Sequence, residues 1–150
     1  MSAAGTIVTA EPSGSAQGIH QSDAEIPDAE DLVQYLVLRK DLWNSLKWPL
    51  GSIIAQACHA STAALWLNKD SPVTTAYCAA QNLDHMRKVV LEVKGEQQLH
   101  TLSNRLTEHK IAHKLWVEQP ENFPTCLATA PCSKAEAQQH FKKFQLCKGV

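Results

Sequence analysis

The sequence predicts an α/β domain in which helices cover a mixed, mostly parallel sheet of four strands. Four short apolar segments with β-branched or aromatic residues are typical of strands, and segments with apolar residues three and four positions apart separate most of them. Because strands alternate with helices along most of the chain, the connections favour parallel neighbours. Only the last two strands are joined by a short turn, so we expect that pair to be antiparallel.

The predicted elements follow the order β-α-α-β-α-β-β-α. The strands are residues 33–38, 86–93, 111–117 and 125–130. The helices are residues 51–66, a shorter one that Ser71-Pro72 opens, one that starts at Gly95 and repeats Leu99, Leu102 and Leu106, and a last one. For this last helix Ser133 and Glu136 form a capping box, and Ala137, Phe141 and Phe144 form its buried face.

The length of 150 residues fits one domain with a tail. Residues 1–30 are rich in Ala, Ser and Gly and hold five acids but no Lys or Arg, which predicts a disordered acidic tail. Residues 31–150 form the domain, where 14 bases face the remaining 10 acids, a formal charge of +4. A mildly basic domain is compatible with nucleic acid but does not require it.

Composition and motifs exclude several classes of protein. The five cysteines are scattered, with no CxxC pair and no zinc-like spacing, so we expect reduced thiols in a cytoplasmic protein. The N-terminus lacks the features of a secretory signal, and no apolar run has the length of a membrane span. Walker A, GxGxxG, HExxH and GxSxG motifs are all missing.

The helix predicted over residues 51–66 carries a polar stripe. At about 100° per residue, Ser52, Gln56 and His59 share one face, beside a helix N-terminus whose free N–H groups favour an anion. The opposite face is made mostly of small apolar residues: Ile53, Ala57, Ala60, Ser61 and Ala64. The stripe is either a chemical site or the solvated side of an ordinary amphipathic helix.

Charged and aromatic residues surround the ends of two predicted strands. Arg39 and Asp41 follow the first strand, at the sheet end where α/β domains tend to bind ligands, and Arg87-Lys88 lie at the entrance of the second. In the loop after the first strand, Trp43 and Trp48 are suited to stacking on bases and Lys47 to binding phosphate. The alternative is that both tryptophans cover the edge of the core.

Three motifs follow one another along the chain: Arg39, Asp41 and Leu42 after an apolar strand, the run AQACHA at residues 55–60, and KVVL at residues 88–91. In this order they resemble the type 2 peptidyl-tRNA hydrolases of archaea and eukaryotes. The tract WVEQPEN at residues 116–122 is similar to the eukaryotic subgroup called peptidyl-tRNA hydrolase domain-containing proteins. The resemblance covers roughly residues 32–147.

The resemblance implies a three-layer α/β/α domain that cleaves the ester between a peptide and the 3′ end of tRNA. It implies no metal or organic cofactor, and a partner that is the acceptor end of peptidyl-tRNA rather than DNA or a membrane. Attack of water on this ester needs a base or orienting group, donors for the developing oxyanion and a basic surface for the acceptor stem.

The residues that the family uses are only partly present. Gln56 and His59 occupy the family's helix positions. The family's helix opens with Gly-Lys-Gly-Lys, and its last lysine, a main catalytic candidate, is Ser52 here, while the earlier lysine is Leu50. The family's aspartate at the end of the third strand corresponds to Glu118, one methylene longer.

Two interpretations follow from the resemblance. In the first, the chain is a hydrolase with Gln56, His59, Glu118 and Ser52 in the catalytic site. Its tRNA-binding residues are then Arg39, Asp41, Lys47, Arg87 and Lys88, with Lys47 a candidate to replace the missing lysine. In the second, the chain keeps the fold and binds tRNA or a protein but has lost hydrolysis, as the altered lysine position favours.

Overall fold

A computed structural model describes residues 25–149 of the chain. Most of the predicted acidic tail lies outside the described residues. The strands are β1 (Leu32–Arg39), β2 (Lys88–Val93), β3 (His113–Glu118), β4 (Phe123–Thr129), β5 (Cys132–Ser133) and β6 (Gln145–Leu146). The helices are α1 (Asp41–Asn44), α2 (Leu50–Leu67), α3 (Pro72–Tyr77), α4 (Glu96–Glu108) and α5 (Lys134–Ala137). The structure also contains three 3₁₀ helices: Ala29–Asp31, Ala80–His85 and Gln138–His140.

The sheet is mixed, as predicted, but within the described residues it has six strands rather than four. Its order is β3-β4-β1-β2-β6, and β5 pairs with the start of β1. Only β1 and β2 run parallel, whereas the other four pairings are antiparallel, so the prediction of a mostly parallel sheet was wrong. The two missed strands, β5 and β6, have two residues each and are too short to show any periodicity.

Helices cover both faces of the sheet, which confirms the three-layer α/β/α architecture. All eight residues of β1 are buried, because this central strand has a layer on each side. The α2 face has its core in Leu36, Leu38, Leu42, Trp43, Ile53, Ala60, Ala64, Cys126 and Ala128. The α4 face has its core in Val33, Tyr35, Val37, Leu91, Val93, Leu99, Leu102, Leu106, Leu127, Ala137 and Phe141.

The predicted apolar face of α2 packs on the sheet, but one polar residue is buried with it. Ile53, Ala60, Ser61 and Ala64 are buried, and their small size brings the helix backbone close to β4, β3 and β1. Gln56 is also buried, so the polar stripe is not uniformly solvated. By length and composition α2 has the dimensions of a membrane span, contrary to expectation, but here it packs on the sheet.

The last predicted helix is shorter than expected. Ser133 is the N-cap residue of α5, but its side chain makes no capping hydrogen bond, and the helix passes into the 3₁₀ turn after four residues. Phe141 is nonetheless buried, where its ring stacks on Tyr35 with centroids 4.2 Å apart. The apolar spacing was therefore a better guide to burial than the capping motif was to helix length.

The direction of α2 decides which residues meet. Ser61, late in α2, donates a 2.7 Å hydrogen bond to Gln34 near the start of β1. Gln56, earlier in α2, contacts Thr125 of β4, which lies level with the end of β1. The helix thus runs antiparallel to β1, and its first turns lie at the carboxyl end of β1, where β3 also ends.

Candidate active site

Gln56 and Thr125 form a buried pair between α2 and β4. The Thr125 hydroxyl donates a 2.8 Å hydrogen bond to Gln56 Oε1, and both side chains are excluded from solvent. Because the amide oxygen is occupied by Thr125, the amide NH₂ group is left to face Glu118 at the end of β3. Hydrogen bonding from the Gln56 side chain is the largest influence on the pKa of Glu118, and it lowers that pKa.

Several other groups act on the Glu118 carboxylate. Burial raises its pKa, whereas the Trp116 side chain, the Gln119 backbone and the nearby His59 ring lower it. Trp116 Nε1 is buried and makes no hydrogen bond of normal geometry, so it acts on Glu118 as a nearby N–H dipole. The net result is a pKa below the ordinary value, which means that Glu118 is ionised at neutral pH.

His59 and Trp116 stack at the mouth of this cluster. Their ring centroids are 4.7 Å apart and their planes differ by 15°. His59 is exposed one turn after Gln56, and its stacking partner Trp116 belongs to β3. The structure thereby brings Gln56, His59 and Glu118 together.

A break in the β3–β4 register accompanies the Thr125 contact. Trp116 lies opposite Cys126, but Val117 lies opposite Pro124, so Thr125 is the extra residue of a bulge. Bulges commonly redirect a side chain next to a functional site. Sequence reasoning missed Thr125, because a single threonine within a predicted strand carries no signal of a bulge.

Ser52 and Lys47 lie at the start of α2. Ser52 is exposed, one turn before Gln56 on the same side of the helix. Lys47 is exposed in the preceding loop with φ of 55°, a left-handed conformation that few residues other than glycine adopt. Its neighbour Trp48 stacks on Phe123, which lies opposite Glu118, so this loop borders the cluster.

The tryptophans of this region belong to the core rather than to a base-binding surface. Trp43 is buried between α2 and the sheet, and Trp48 is half-buried against Phe123. The alternative considered from the sequence, that they cover the edge of the core, therefore describes both side chains.

The buried Arg39 side chain at the end of β1 is hydrogen-bonded to several neighbouring groups. Its guanidinium makes paired hydrogen bonds of 3.0 and 2.7 Å to Asp41, reaches Glu96 at 3.2 Å and donates to the Pro124 carbonyl at 2.8 Å. It also lies 4.5 Å from the centre of the Phe123 ring and is only 4% exposed. Arg39 is therefore not free to bind tRNA phosphate, and the predicted contact requires correction because its donors are engaged internally.

Asp41 is held in the same cluster. A Cβ at Gly95 would lie 3.1 Å from the Asp41 Oδ2 atom, so the glycine leaves room for the carboxylate that Arg39 binds. Asp41, with its carboxylate oxygens on Arg39, acts as the counter-ion of that buried cation, rather than as a substrate contact.

Lys88 and Arg87 lie at the other end of the sheet. Lys88 pairs with Gln34 in the β1–β2 register, five residues from Arg39 and therefore roughly 16 Å from the carboxyl end of β1. Its ammonium turns inward to Gln34 and to Ser61, and burial lowers its pKa. Arg87 is exposed beside it. These two cations consequently do not share a surface with Gln56 and Glu118.

Metal-ligating residues are not clustered in the described part of the chain. Within residues 25–149, no three His, Cys, Asp or Glu side chains are grouped closely enough to hold a metal ion. All five cysteines lie in this range and are unpaired. The cluster around Glu118 contains a carboxylate, an amide, a hydroxyl and an imidazole, which suits proton transfer and hydrogen bonding.

Comparison with known proteins identifies the family of the chain. The model of the family described as peptidyl-tRNA hydrolase PTH2 matches residues 32–147, which include every element from β1 to β6. Two proteins named putative peptidyl-tRNA hydrolase PTRHD1, from Mus musculus and Homo sapiens, are each 53% identical to this chain over 118 residues. The match covers 78% of this chain and 83% of each relative. The chain therefore belongs to the PTH2 family of peptidyl-tRNA hydrolases.

Proposed function

We propose that this protein hydrolyses the ester between a peptide and the 3′ end of tRNA, with Glu118 as the general base. The observation that carries the proposal is the grouping of the Glu118 carboxyl with the Gln56 amide and His59 at the end of β3, where these neighbours lower the pKa of Glu118. Membership of the PTH2 family supports the substrate, and the relatives' name is that of a peptidyl-tRNA hydrolase. The unpaired state of all five cysteines supports a cytoplasmic setting, where this activity would recycle tRNA for translation.

In this reaction Glu118 takes a proton from a water molecule while the water oxygen bonds to the ester carbonyl carbon. The tetrahedral intermediate then loses the ribose oxygen, which receives the proton from Glu118. The products are a peptide with a free carboxyl group and a tRNA with a free 3′ end. Because the pKa of Glu118 is lowered, it is a weak base that is fully ionised, and positioning of the water contributes much of the rate.

Gln56 and His59 have separate parts in this proposal. Gln56, fixed by Thr125, holds the Glu118 carboxylate in one orientation. His59, held flat against Trp116, presents a ring nitrogen as a donor to the developing oxyanion. The first turn of α2 adds backbone N–H groups at the same end, since no side chain caps that helix.

A second candidate function is tRNA binding without hydrolysis. It rests on Ser52, because an exposed serine hydroxyl does not supply the positive charge that a lysine would place near the oxyanion. The two candidates share the fold and the tRNA partner, so only turnover separates them.

The experiment is incubation of an N-blocked aminoacyl-tRNA with the purified protein, followed by analysis of both products. Hydrolysis of the ester releases the N-blocked amino acid and leaves an intact tRNA that its synthetase charges again. Release well above the uncatalysed rate, with full recharging, supports the hydrolase. Binding of the tRNA without release supports the second candidate, and release with loss of rechargeable tRNA contradicts ester cleavage because it indicates a nuclease.

A further inference from the structure

A basic groove lies at the carboxyl end of β2, on the side of the sheet that α4 covers. It has a volume of about 350 Å³ and lies between α4 and the segment that leads into β6. Four cations line it, Lys40, Lys94, Arg105 and Lys143, against one carboxylate, Glu92. Gln98, Thr101 and Gln145 add polar side chains to the lining.

The cations come from different elements and converge on one space. Lys40 follows β1, Lys94 follows β2, Arg105 belongs to α4 and Lys143 precedes β6. Lys40 lies 3.7 Å from Glu92, so this ion pair offsets a single charge. Arg105 is anchored by a hydrogen bond to the His140 carbonyl, whereas Lys94 and Lys143 are exposed. The groove thus keeps an excess of positive charge that faces solvent.

The groove lies at the same end of the sheet as Glu118 but on the other face, because Glu118 lies beside Gln56 of α2, so an RNA strand that contacts both crosses this edge of the sheet. In the order β3-β4-β1-β2, three strand spacings separate Glu118 from the end of β2, a lateral distance of roughly 15 Å. Between them lies the Arg39 cluster, in which the Asp41 and Glu96 carboxylates are paired with the guanidinium. A nucleic acid strand whose 3′ end reaches Glu118 would carry phosphates of its preceding nucleotides to this distance.

We propose that this groove binds the phosphate backbone of the tRNA acceptor end, upstream of the ester that Glu118 cleaves. The inference rests on the proposed function for the identity of the RNA. It replaces the surface expected from Arg39, Arg87 and Lys88, since Arg39 is buried and the other two lie at the opposite end of the sheet. Lysines that contact phosphate bind through charge, so this contact is independent of base sequence and sensitive to salt.

The test compares two double variants in their affinity for deacylated tRNA over a range of salt concentrations. Lys94→Gln with Lys143→Gln removes two exposed groove cations. The matched control, Arg87→Gln with Lys134→Gln, removes two exposed cations near the amino end of β1. We expect the groove variant to bind about tenfold more weakly and to lower the salt slope by about 1.5, while the control stays within about twofold of wild type.

The affinity for deacylated tRNA is measured without turnover. A failure of the groove proposal in this assay is therefore distinguishable from a failure of the proposed hydrolysis. Equal losses in both double variants, an unchanged affinity in the groove variant, or no binding of tRNA by the wild type at low salt would each overturn the inference. If the wild type hydrolyses its substrate, a second measurement uses N-blocked aminoacyl-adenosine, which lacks the upstream phosphates. The groove variant should then raise KM for the full tRNA substrate about tenfold and leave hydrolysis of the short substrate unchanged.

Discussion

The Thr125 hydroxyl lies 2.8 Å from Gln56 Oε1, and this hydrogen bond fixes which end of the amide faces Glu118. The ionised Glu118 carboxylate only accepts hydrogen bonds, so the Gln56 amide can bond to it only through its NH₂ end. The amide oxygen must therefore point away from Glu118. The bulge at Thr125 therefore acts on Glu118 through Gln56, because it turns the NH₂ group of Gln56 toward the carboxylate whose pKa it lowers.

Thr125→Val should weaken catalysis through Gln56 although Thr125 itself does not contact the ester. Loss of the hydroxyl leaves the buried Gln56 oxygen unpaired, which costs about 1–3 kcal/mol of stability and frees the amide to rotate. We expect kcat to fall about tenfold, since a misplaced water is costly. The control is Thr129→Val, because Thr129 is equally buried but accepts from the Tyr35 backbone, away from Glu118. A similar loss of kcat in both variants would show that the effect is one of general stability.

The acidic limb of the pH–rate profile should report Glu118. The base is active when ionised, so kcat/KM falls as the pH drops through its pKa, and the Gln56 contact places that pKa below the ordinary value. Gln56→Ala removes the contact that lowers the pKa, so the limb should move to higher pH. Measurement of kcat/KM from about pH 3 to 8 decides the point. If the limb of Gln56→Ala moved to lower pH, Gln56 would not be the group that lowers the pKa of Glu118.

Restoring the family's lysine should raise the rate. Ser52 is exposed at the start of α2, so Ser52→Lys adds a cation near the oxyanion without displacing a buried group. A well-placed donor at such a position contributes about 10²-fold, and we expect a gain of about tenfold or more in kcat. Lys47→Gln in the wild type tests the other source of charge and should reduce kcat if Lys47 substitutes for the missing lysine. Equal rates for wild type and Ser52→Lys would mean that this charge does not limit the reaction.

Arg39→Met should destabilise the fold more than it affects the chemistry. It removes a buried cation that binds Asp41, Glu96 and the Pro124 carbonyl, and it leaves the Asp41 carboxylate without its partner. Breaking such a pair costs about 3 kcal/mol, which denaturant unfolding measures directly. Arg87→Met, at an exposed position, should change stability by less than about 0.5 kcal/mol. If Arg39→Met lowered the free energy of unfolding no more than Arg87→Met does, Arg39 would have no structural role.

The sequence predicted the layers of this fold better than the direction of its strands. Periodicity located α2, α4 and the four longer strands, since each has enough residues for a repeat to be visible. The short turn correctly predicted that β3 and β4 are antiparallel. Periodicity did not reveal that β4 lies between β3 and β1 and also runs antiparallel to β1, because strand order depends on contacts distant in the chain. The two-residue strands β5 and β6 depend on backbone pairing alone.

For the candidate site, helical spacing and family resemblance together pointed to Gln56, His59 and Glu118, which the structure brings together. The same reasoning assigned Arg39 and Lys88 to tRNA, because a charged residue at a strand end gives no sign of whether its partner is solvent or protein. Burial and internal hydrogen bonds distinguish these cases, and they leave Lys94 and Lys143 as the exposed cations of a groove. Neither lysine belongs to a motif, so no sequence pattern distinguishes them from the other lysines of the chain.

Single-turnover release of the amino acid from N-blocked aminoacyl-tRNA tests most simply whether Glu118 is the base of a peptidyl-tRNA hydrolase. Glu118→Gln keeps the shape of the side chain but removes its basicity, and Glu121→Gln makes the same change at an exposed loop position three residues later. We predict that Glu118→Gln lowers the rate by about 10²-fold or more and that Glu121→Gln stays near wild type. A folded Glu118→Gln protein that releases the amino acid as fast as wild type would show that Glu118 is not the base.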